Sequence, residues 1–265
     1  MIISLKNRAL IQITGEDSED FLQSQFSNDV KKIQDRRIQI NAYCQHQGKI
    51  IAIIWLFKRD KKYYLSIPYE LKDIVLSKLN MFKLMSRVEI KDYSEIIYQY
   101  GLIAEDNEET IRIIDNLTLL TTREPIKEDY DYPYWENACI NATLPEIYIN
   151  LSEKFTPQAL NLDIDQMGVS FTKGCYPGQE VVARMHYLGK PKRRLFLFSS
   201  KCEATIGDSI NVESSKSLKP SGTILRVAKI DENYYSLGTF EIQHINESAN
   251  LNNDVNKSLI IVNAK

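Results

Sequence analysis

The sequence has no apolar run long enough to cross a membrane. Its longest run without a polar residue, residues 50–57, has eight residues, whereas a membrane-spanning helix needs ~20. The start of the chain, MIISLKNRALIQITG, alternates polar and apolar residues and offers neither a hydrophobic signal core nor a small-residue cleavage site. We therefore expect a cytoplasmic protein that does not associate with membranes.

Cysteine is scarce and widely spaced. The four cysteines are Cys44, Cys139, Cys175 and Cys202, and no two of them form a C-x-x-C pair. This spacing argues against a zinc ribbon, a thioredoxin-type site and an iron–sulfur cluster held by this chain alone. Disulfides are not expected in a reducing compartment. We assign no metal site on the basis of the sequence.

The chain also lacks an excess of charge of one sign. It has 33 lysines and arginines against 35 aspartates and glutamates, for a formal net charge of −2. Such a chain has no global attraction to nucleic acid or to an anionic membrane, so any such attraction must come from a local patch. An apolar content of 43% and 265 residues predict an ordinary globular protein with one large domain or two of usual size.

The sequence pattern changes near residue 190. Before this point helical and strand-like periodicities alternate. We predict a turn and a helix within 14–26, the helix being capped by Asp17 or Ser18, and further helices at 68–82 and 134–142. The predicted strands include 8–13, 87–91, 96–104 and 110–121. After residue 194, short strands separated by Gly, Ser, Asn and Asp predict a small antiparallel barrel or sandwich. The sequence therefore predicts an α+β domain over residues 1–190 and an all-β domain over residues 191–265.

One stretch, residues 171–194 with the sequence FTKGCYPGQEVVARMHYLGKPKRR, is unusually dense in chemically distinctive residues. GVSFT at its start predicts a strand, and GQEVVARMHYLG predicts a helix that ends at a left-handed Gly189. The tripeptide YPG between them has proline and glycine at the second and third positions of a tight turn. The pattern predicts a strand, a turn and a helix in that order.

Cys175 would lie at this strand-to-helix turn. Free backbone N–H groups, the helix dipole and the nearby Lys173 would all favour the thiolate over the thiol. The flanking glycines would let another molecule approach the backbone closely. From the residues alone, a reactive or ligating thiol and a small residue that fills a turn are equally good interpretations.

Two further interpretations concern the surroundings of the thiol. A Cys–His hydrolase would need one of only three histidines, and His186 lies eleven residues farther along the predicted helix, ~16 Å away. The segment from Lys173 to Arg194 contains six cations and one anion. The cations could hold phosphate, a glutamate tail or RNA backbone, or could form a solvated rim. Arg184, beside the apolar stripe of the helix, is the best candidate for a partly buried anion contact.

KGCYPGQE, residues 173–180, matches the K-G-C-x-x-G-Q-E pattern of the YgfZ proteins. FTPQALNLD, GVSFTKGCYPGQEVVAR and GKPKRRL around it match the same family closely, and ITGEDSEDFLQSQFSNDV and QHQGK are similar to its N-terminal half. Over most of its first 195 residues the chain thus resembles the YgfZ family, whose members are relatives of the glycine-cleavage T-protein.

The resemblance implies a fold and a set of ligands. The fold would be a T-protein-like α+β region of ferredoxin-like elements around a central cavity, with its second half trimmed, followed by a C-terminal antiparallel β-barrel. The cofactor would be tetrahydrofolate or a derivative, together with a transient iron–sulfur cluster. The partners would be folate and iron–sulfur enzymes or cluster-assembly proteins. Direct nucleic-acid binding is not expected, and residues 190–194 are the one place in the sequence that would allow it.

The resemblance also implies folate-contacting residues. Trp135 corresponds to a tryptophan that contacts folate in YgfZ proteins, where an indole can stack on the pterin. A second folate-contacting tryptophan is replaced by Arg8, which would stack on a ring or reach a glutamate tail. The T-protein's acidic pair is missing from GKIIAIIW, and Asn141-Ala142-Thr143 replaces its pterin-gripping glutamate, so aminomethyl transfer is not expected.

The resulting functional hypothesis is a folate-binding accessory protein that supports assembly or repair of iron–sulfur enzymes, including tRNA-modifying ones, without classical turnover. Cys175 would be the working thiol, as a transient cluster ligand, a partner-bridging ligand or a redox group. Lys173 would favour the thiolate, and Gly174 and Gly178 would allow close approach. Gln179 and Glu180 would order the helix start or contact the partner. The alternatives are a folate-dependent one-carbon transferase with an unknown acceptor, and a non-catalytic module that docks RNA or an acidic partner.

Overall fold

The computed structural model describes residues 1–213 and 219–263. Residues 214–218 and 264–265, which fall in the predicted C-terminal domain, lie outside the described residues. The elements in chain order are β1 Ile2–Ser4, β2 Arg8–Thr14, α1 Ser18–Gln25, β3 Gln39–Cys44, β4 Ile50–Arg59, β5 Lys62–Pro68, α2 Lys72–Phe82, β6 Glu89–Asp92, β7 Tyr98–Ile103, β8 Ile111–Ile114, β9 Leu117–Thr122, α3 Tyr132–Asn141, α4 Gln179–Leu188, β10 Arg193–Ser200, β11 Ser209–Val212, β12 Gly222–Ile230, β13 Asn233–Glu241, β14 Ala249–Leu251 and β15 Asp254–Asn263. No helix in the described part of the chain is long and apolar enough to span a membrane.

The first sheet has five antiparallel strands in the order β3-β4-β5-β2-β6. Its β4 contains the longest apolar run of the sequence and has its first eight residues buried, as expected for a strand covered on both faces. The predicted helix within 14–26 is confirmed as α1, and most of the predicted helix at 68–82 is confirmed as α2. The helical spacing of Leu71, Ile74, Val75, Leu79 and Phe82 predicts one buried apolar stripe, but Phe82 is exposed.

The second sheet has four strands in the order β1-β7-β9-β8. The predicted strand at 110–121 is wrong as a single element, because the chain turns at Asp115, where φ is 47°, and folds back as the β8–β9 hairpin. The predicted helix at 134–142 is confirmed as α3, which packs between this sheet and the strand β12. The second sheet thus takes three strands from residues 98–122 and its fourth, β1, from the start of the chain.

The C-terminal strands close into an antiparallel barrel in the order β10-β13-β12-β11-β14-β15. Alternate side chains of β10 point to opposite sides, as the two-residue period of a strand requires. Phe196 and Phe198 fill the barrel, whereas Leu195 and Leu197 join the large core that also contains both sheets. The predicted α+β fold with a C-terminal antiparallel barrel is confirmed.

Candidate functional site around Cys175

The KGCYPGQE segment presents an exposed thiol between two buried side chains. Cys175 is free and exposed, whereas Lys173 and Tyr176 on either side of it are buried. The strand predicted for GVSFT is wrong, since this stretch forms no ladder and is held by single bonds such as Ser170 N–H to the carbonyl of Ser27. Cys175 therefore lies on an irregular loop before a helix and not at the end of a strand.

Lys173 fixes the first half of this loop. Its ammonium donates to the backbone carbonyls of Gln23, Phe26 and Asn28, which uses all three of its N–H donors. Burial lowers the pKa of Lys173 to about 8, and Asp29 partly opposes this by favouring the charged form. The side chain ties the loop to the end of α1, so its contacts are structural rather than directed at the thiol.

The second half of the loop is the predicted tight turn, which is confirmed. The N–H of Gln179 donates to the carbonyl of Tyr176 at 3.1 Å, and Gly178 has φ of +82°. A left-handed third residue after proline defines a type II turn, a position that strongly favours glycine. The turn leads directly into α4, whose first residue is Gln179.

The two motifs that resemble the YgfZ family meet at this turn. QHQG forms the turn between β3 and β4, in which the N–H of Gly48 donates to the carbonyl of Gln45 at 2.9 Å. A Cβ on Gly178 would come within 2.5 Å of that carbonyl oxygen and within 2.8 Å of the Cα of Gly48. The two backbone turns therefore touch, and only glycine at position 178 permits this approach.

Helix α4 is anchored by one face and exposed on the others. Val182 is buried, and its carbonyl accepts a hydrogen bond from Gln158 Nε2 at 2.8 Å. Glu180 and Arg184 are exposed, so the partly buried anion contact expected of Arg184 is not formed by this conformation. Gly189 ends the helix in an extended conformation, with φ of −110°, and the left-handed C-terminus predicted there is wrong.

The histidines are engaged elsewhere or exposed. His186 stacks on Phe171 with ring centroids 3.7 Å apart, and His244 bonds to Glu247 at 2.8 Å. His46 is exposed in the β3–β4 turn. Among residues 1–213 and 219–263, no three side chains of His, Cys, Asp or Glu come together as a metal site.

The predicted folate contacts lie in a separate, buried cluster at the centre of the molecule. Trp135 is 1% exposed, and its ring packs on Gly101 and edge-on to Trp55. The guanidinium of Arg8 lies 3.5 Å from the ring centroid of Trp55 and pairs with Glu146. The surfaces of Trp135 and Arg8 that were expected to meet folate therefore face protein atoms, because each side chain is enclosed by the other members of the cluster.

This central cluster continues into the barrel. Arg226 on β12 pairs with Glu136 on α3 at 2.7 Å and lies 3.7 Å from Glu146. Desolvation disfavours the charge on this buried guanidinium, but the carboxylates outweigh it and raise the pKa of Arg226 further above its ordinary value. The cluster thus has charged side chains of alternating sign in the order Arg8, Glu146, Arg226 and Glu136. The indole of Trp55 packs on Arg8, and that of Trp135 packs on Trp55.

Three buried polar atoms of the cluster lack hydrogen-bond partners in the described part of the chain, and they indicate whether the cluster suits folate. Trp55 Nε1, Glu136 Oε2 and Arg226 Nε are buried and have no hydrogen-bond partner among the described residues. Buried polar atoms normally have partners, which include ligands and ordered water. The aminopyrimidinone edge of a pterin offers both N–H donors and a carbonyl acceptor, which a carboxylate and the N–H groups of an indole or guanidinium can satisfy. The donor set of the cluster therefore fits this cofactor.

Comparison with known proteins places the chain in a family. No family model matches it. A Haemophilus influenzae protein described as uncharacterized is 33% identical over 241 residues, which cover 86% of this chain and 85% of that protein. A protein of Colwellia psychrerythraea named tRNA-modifying protein YgfZ is 28% identical over 266 residues, which cover 87% and 82% of the two chains. The chain belongs to the YgfZ family.

The fold has a solved relative as well. The glycine cleavage system aminomethyltransferase T from Bartonella henselae aligns with a TM-score of 0.67, covering 99% of this chain and 84% of that protein, at 9% sequence identity. At this identity the likeness concerns the fold alone. It agrees with the T-protein-like architecture expected from the resemblance to YgfZ proteins.

Sequence reasoning missed several residues that the fold of this YgfZ-family chain brings together. Glu136, Glu146 and Arg226 were not singled out, although Glu136 directly follows Trp135 and Arg226 interrupts the apolar run TILRVAKI. A cation inside an apolar strand was a usable signal, since a buried arginine needs a carboxylate partner. The identity of that partner could not be deduced, because Glu136 lies 90 residues away in the chain.

Proposed function

We propose that this chain is an accessory protein of tRNA modification that presents Cys175 to partner proteins and supports the assembly or repair of their iron–sulfur clusters. The tRNA-modifying role stated in the names of its relatives supports this assignment. The observation that supports it most directly is the placement of Cys175. It is exposed between Lys173, which donates three hydrogen bonds, and the buried Tyr176. A rigid loop with one exposed thiol is suited to meeting another molecule.

The other cysteines are less suited to this role. Burial raises the pKa of both Cys44 and Cys139 to about 12, so these thiols remain protonated and enclosed. Cys202 is half-buried, and its Sγ donates to the carbonyl of Asn256. The thiolate is the form that binds metals and attacks disulfides, and the two buried thiols do not form it readily. Cys175 is the one exposed cysteine of the four. It would supply one ligand to a cluster whose remaining ligands come from the partner.

We further propose that the central cluster holds tetrahydrofolate or a derivative. Glu136, Arg226 and Trp55 would bind the pterin edge through their unpartnered atoms, after the side chains around Trp135 have moved to admit it. The bound cofactor would supply one-carbon or redox chemistry. The residues of this chain would bind and orient it and exclude water from it.

Replacement of Cys175 tests the thiol. We expect Cys175→Ser to lower, by at least tenfold, the ability of this chain to restore the product of an iron–sulfur tRNA-modifying enzyme in cells that lack their own copy, because serine cannot replace the thiolate ligand. The product would be measured as the modified nucleoside by mass spectrometry. The unfolding free energy should change by less than about 0.5 kcal/mol, as for other exposed positions.

Cys202→Ser is the matched control and should restore the modified nucleoside fully. Full restoration by Cys175→Ser would refute the role of the thiol.

A further inference from the structure

A basic cleft lies beside Met185 of α4 and Arg193 at the start of the barrel. It has a volume of about 420 Å³, and its charged side chains are Lys49, Lys154, Lys190, Lys192, Arg193 and Glu241. These side chains come from the start of β4, the loop at residue 154, the link between α4 and the barrel, and the barrel itself. Separate segments of the fold therefore converge to place five cations around one opening.

The positive charge of the basic cleft is largely uncompensated. Glu241 is already paired with Arg193 at 3.1 Å, and Lys49 donates to the backbone carbonyl of Lys154 at 3.1 Å. In the described part of the chain, no carboxylate lies within ion-pair distance of Lys49, Lys154, Lys190 or Lys192. A chain with a net charge of −2 thus keeps a concentrated positive site, which raises the local concentration of anions.

The other three cations of the 171–194 stretch do not line this site, and one of them, Arg184, is exposed on α4 outside it. Lys173 is buried and bonded to three carbonyls. Arg194 forms a forked pair with Asp163 and also donates to the carbonyl of Gln158. The structure therefore divides a run of cations that looks continuous in the sequence into anchoring residues and the open lysines of the basic cleft.

The lining favours a repeating anion over a peptide. The uncharged wall is formed by apolar residues such as Met185, Pro191 and Phe155, and Thr156 is its one neutral hydrogen-bonding side chain. Phe155 is buried, so it offers no face for base stacking. Lysine ammonium groups act on phosphates as point charges without a fixed geometry, whereas acidic peptide motifs are typically recognised by clusters of arginine, and four of the five cations here are lysines. The basic cleft suits contacts to phosphates that ignore base sequence.

We propose that the basic cleft binds the phosphate backbone of RNA. The choice of RNA as the polyanion rests on the proposed function, whereas the preference for a phosphate chain rests on the lining. Met185 lies six residues after the first residue of α4, about 9 Å along the helix axis. Bound RNA would therefore lie along the same helix that begins at the Cys175 loop.

Anisotropy titrations of a labelled, unstructured RNA oligonucleotide over a series of salt concentrations test the inference. The cleft variant is Lys154→Gln/Lys190→Gln/Lys192→Gln. The control variant is Lys62→Gln/Lys127→Gln/Lys201→Gln, which makes the same change in net charge at exposed lysines elsewhere. We expect the cleft variant to bind at least ~10-fold more weakly and its log–log salt slope to be shallower by about 2, since each lost phosphate contact removes about 0.7. The control should match the wild type.

Three outcomes would overturn the inference. They are no RNA binding by the wild type, an equal loss of RNA affinity in both variants, or binding of a labelled polyglutamate peptide but not of RNA in the same titration. The cellular assay of the modified nucleoside separates this inference from the proposed function. Cys175→Ser should keep full RNA affinity. If the wild type binds no RNA but still depends on Cys175 in cells, the basic cleft is misassigned and the thiol role stands.

Discussion

At the scale of single residues, Lys173 anchors the loop and Cys175 is exposed by it. The ammonium of Lys173 satisfies three backbone carbonyls near the end of α1, where helix carbonyls lack intrahelical partners and a positive charge is favourable. Cys175 forms no such contact among the described residues and remains exposed. A loop needs such an anchor if a thiol is to be held out rigidly, because an exposed loop is otherwise mobile.

The stability of the protein should depend on the titration of Lys173. Its pKa is about 8 in the folded protein because burial disfavours the charge, and it returns to 10.5 on unfolding. Between these values the unfolded chain binds the extra proton, so the contribution of Lys173 to stability is lost as pH falls through 8 and is complete above 10.5. We expect the difference in unfolding free energy between wild type and Lys173→Met to grow by about 3 kcal/mol from pH 8 to 10.5.

Urea unfolding at a series of pH values measures this difference. Lys62→Met, at an exposed position, is the control, and its difference from the wild type should be constant with pH. A constant difference for Lys173→Met as well would contradict the assigned burial.

At the scale of elements, the candidate site depends on two turns that touch through glycine. Gly48 and Gly178 both have positive φ, at +72° and +82°, and each belongs to a different motif. The contact joins the β3–β4 hairpin to the start of α4, so the position of the thiol is set by a sheet as well as by its own loop. Two glycines of the same motif can be compared directly, because a Cβ added to Gly174 would meet nothing within 4 Å.

Gly178→Ala should destabilise the protein by at least 1–2 kcal/mol, because an L-residue in the left-handed region costs about that much and its Cβ would also meet backbone at 2.5 Å. The measurement is the urea midpoint together with restoration of the modified nucleoside in cells, which should fall as the Cys175 loop is displaced.

Gly174→Ala provides the matched control one residue before the thiol and should change the unfolding free energy by less than about 0.5 kcal/mol. Equal stability of the two alanine variants would show that the turns do not need to touch.

At the scale of the whole molecule, the barrel and the α+β region share one core. Leu195 and Leu197 of β10 belong to the same apolar cluster as the two sheets, and the pair formed by Arg226 and Glu136 joins the barrel to α3. We propose that the division into residues 1–190 and 191–265 marks a change of topology within one cooperative unit. Breaking a buried ion pair typically costs ~3–5 kcal/mol, so the two parts are expected to unfold together.

Tetrahydrofolate should alter the tryptophan fluorescence of the purified protein in a saturable way. Both tryptophans of the chain report on the central cluster, since the ring centroids of Trp55 and Trp135 lie 6.4 Å apart. Glu136→Gln should weaken binding about tenfold or more, because a hydrogen bond to a charged group contributes ~1.5–3 kcal/mol. Glu203→Gln, on the exposed surface, should bind like the wild type.

Tetrahydrofolate absorbs light and can lower the fluorescence signal without binding. Calorimetry of the same titration measures the heat of binding and is not affected by this absorbance. Absence of heat and of a fluorescence change in excess ligand would exclude folate from the cluster. Product analysis after incubation would distinguish a binding protein from the alternative one-carbon transferase, which must consume the cofactor.

Much of the fold followed from local pattern, and the failures have identifiable causes. The helices α1 and α3 and the YPG turn were predicted correctly because their periodicity and turn chemistry are local. GVSFT has strand-like composition, yet Lys173 beyond it bonds to carbonyls about 150 residues away, and the stretch pairs with no strand in the described part of the chain. Phe82 fitted the apolar stripe of α2 but is exposed at the last residue of that helix.

The sequence by itself determined the order of the elements, the glycine-dependent turn before α4 and the family to which the chain belongs, because these depend on residues that are neighbours in the chain. Only the tertiary structure decided that Lys173 is an anchor, that Gly178 touches Gly48, that Trp135 and Arg8 are enclosed with Glu146, and that distant lysines form the basic cleft. Such contacts join residues far apart in the chain, and their geometry depends on how whole sheets and the barrel pack rather than on local propensity.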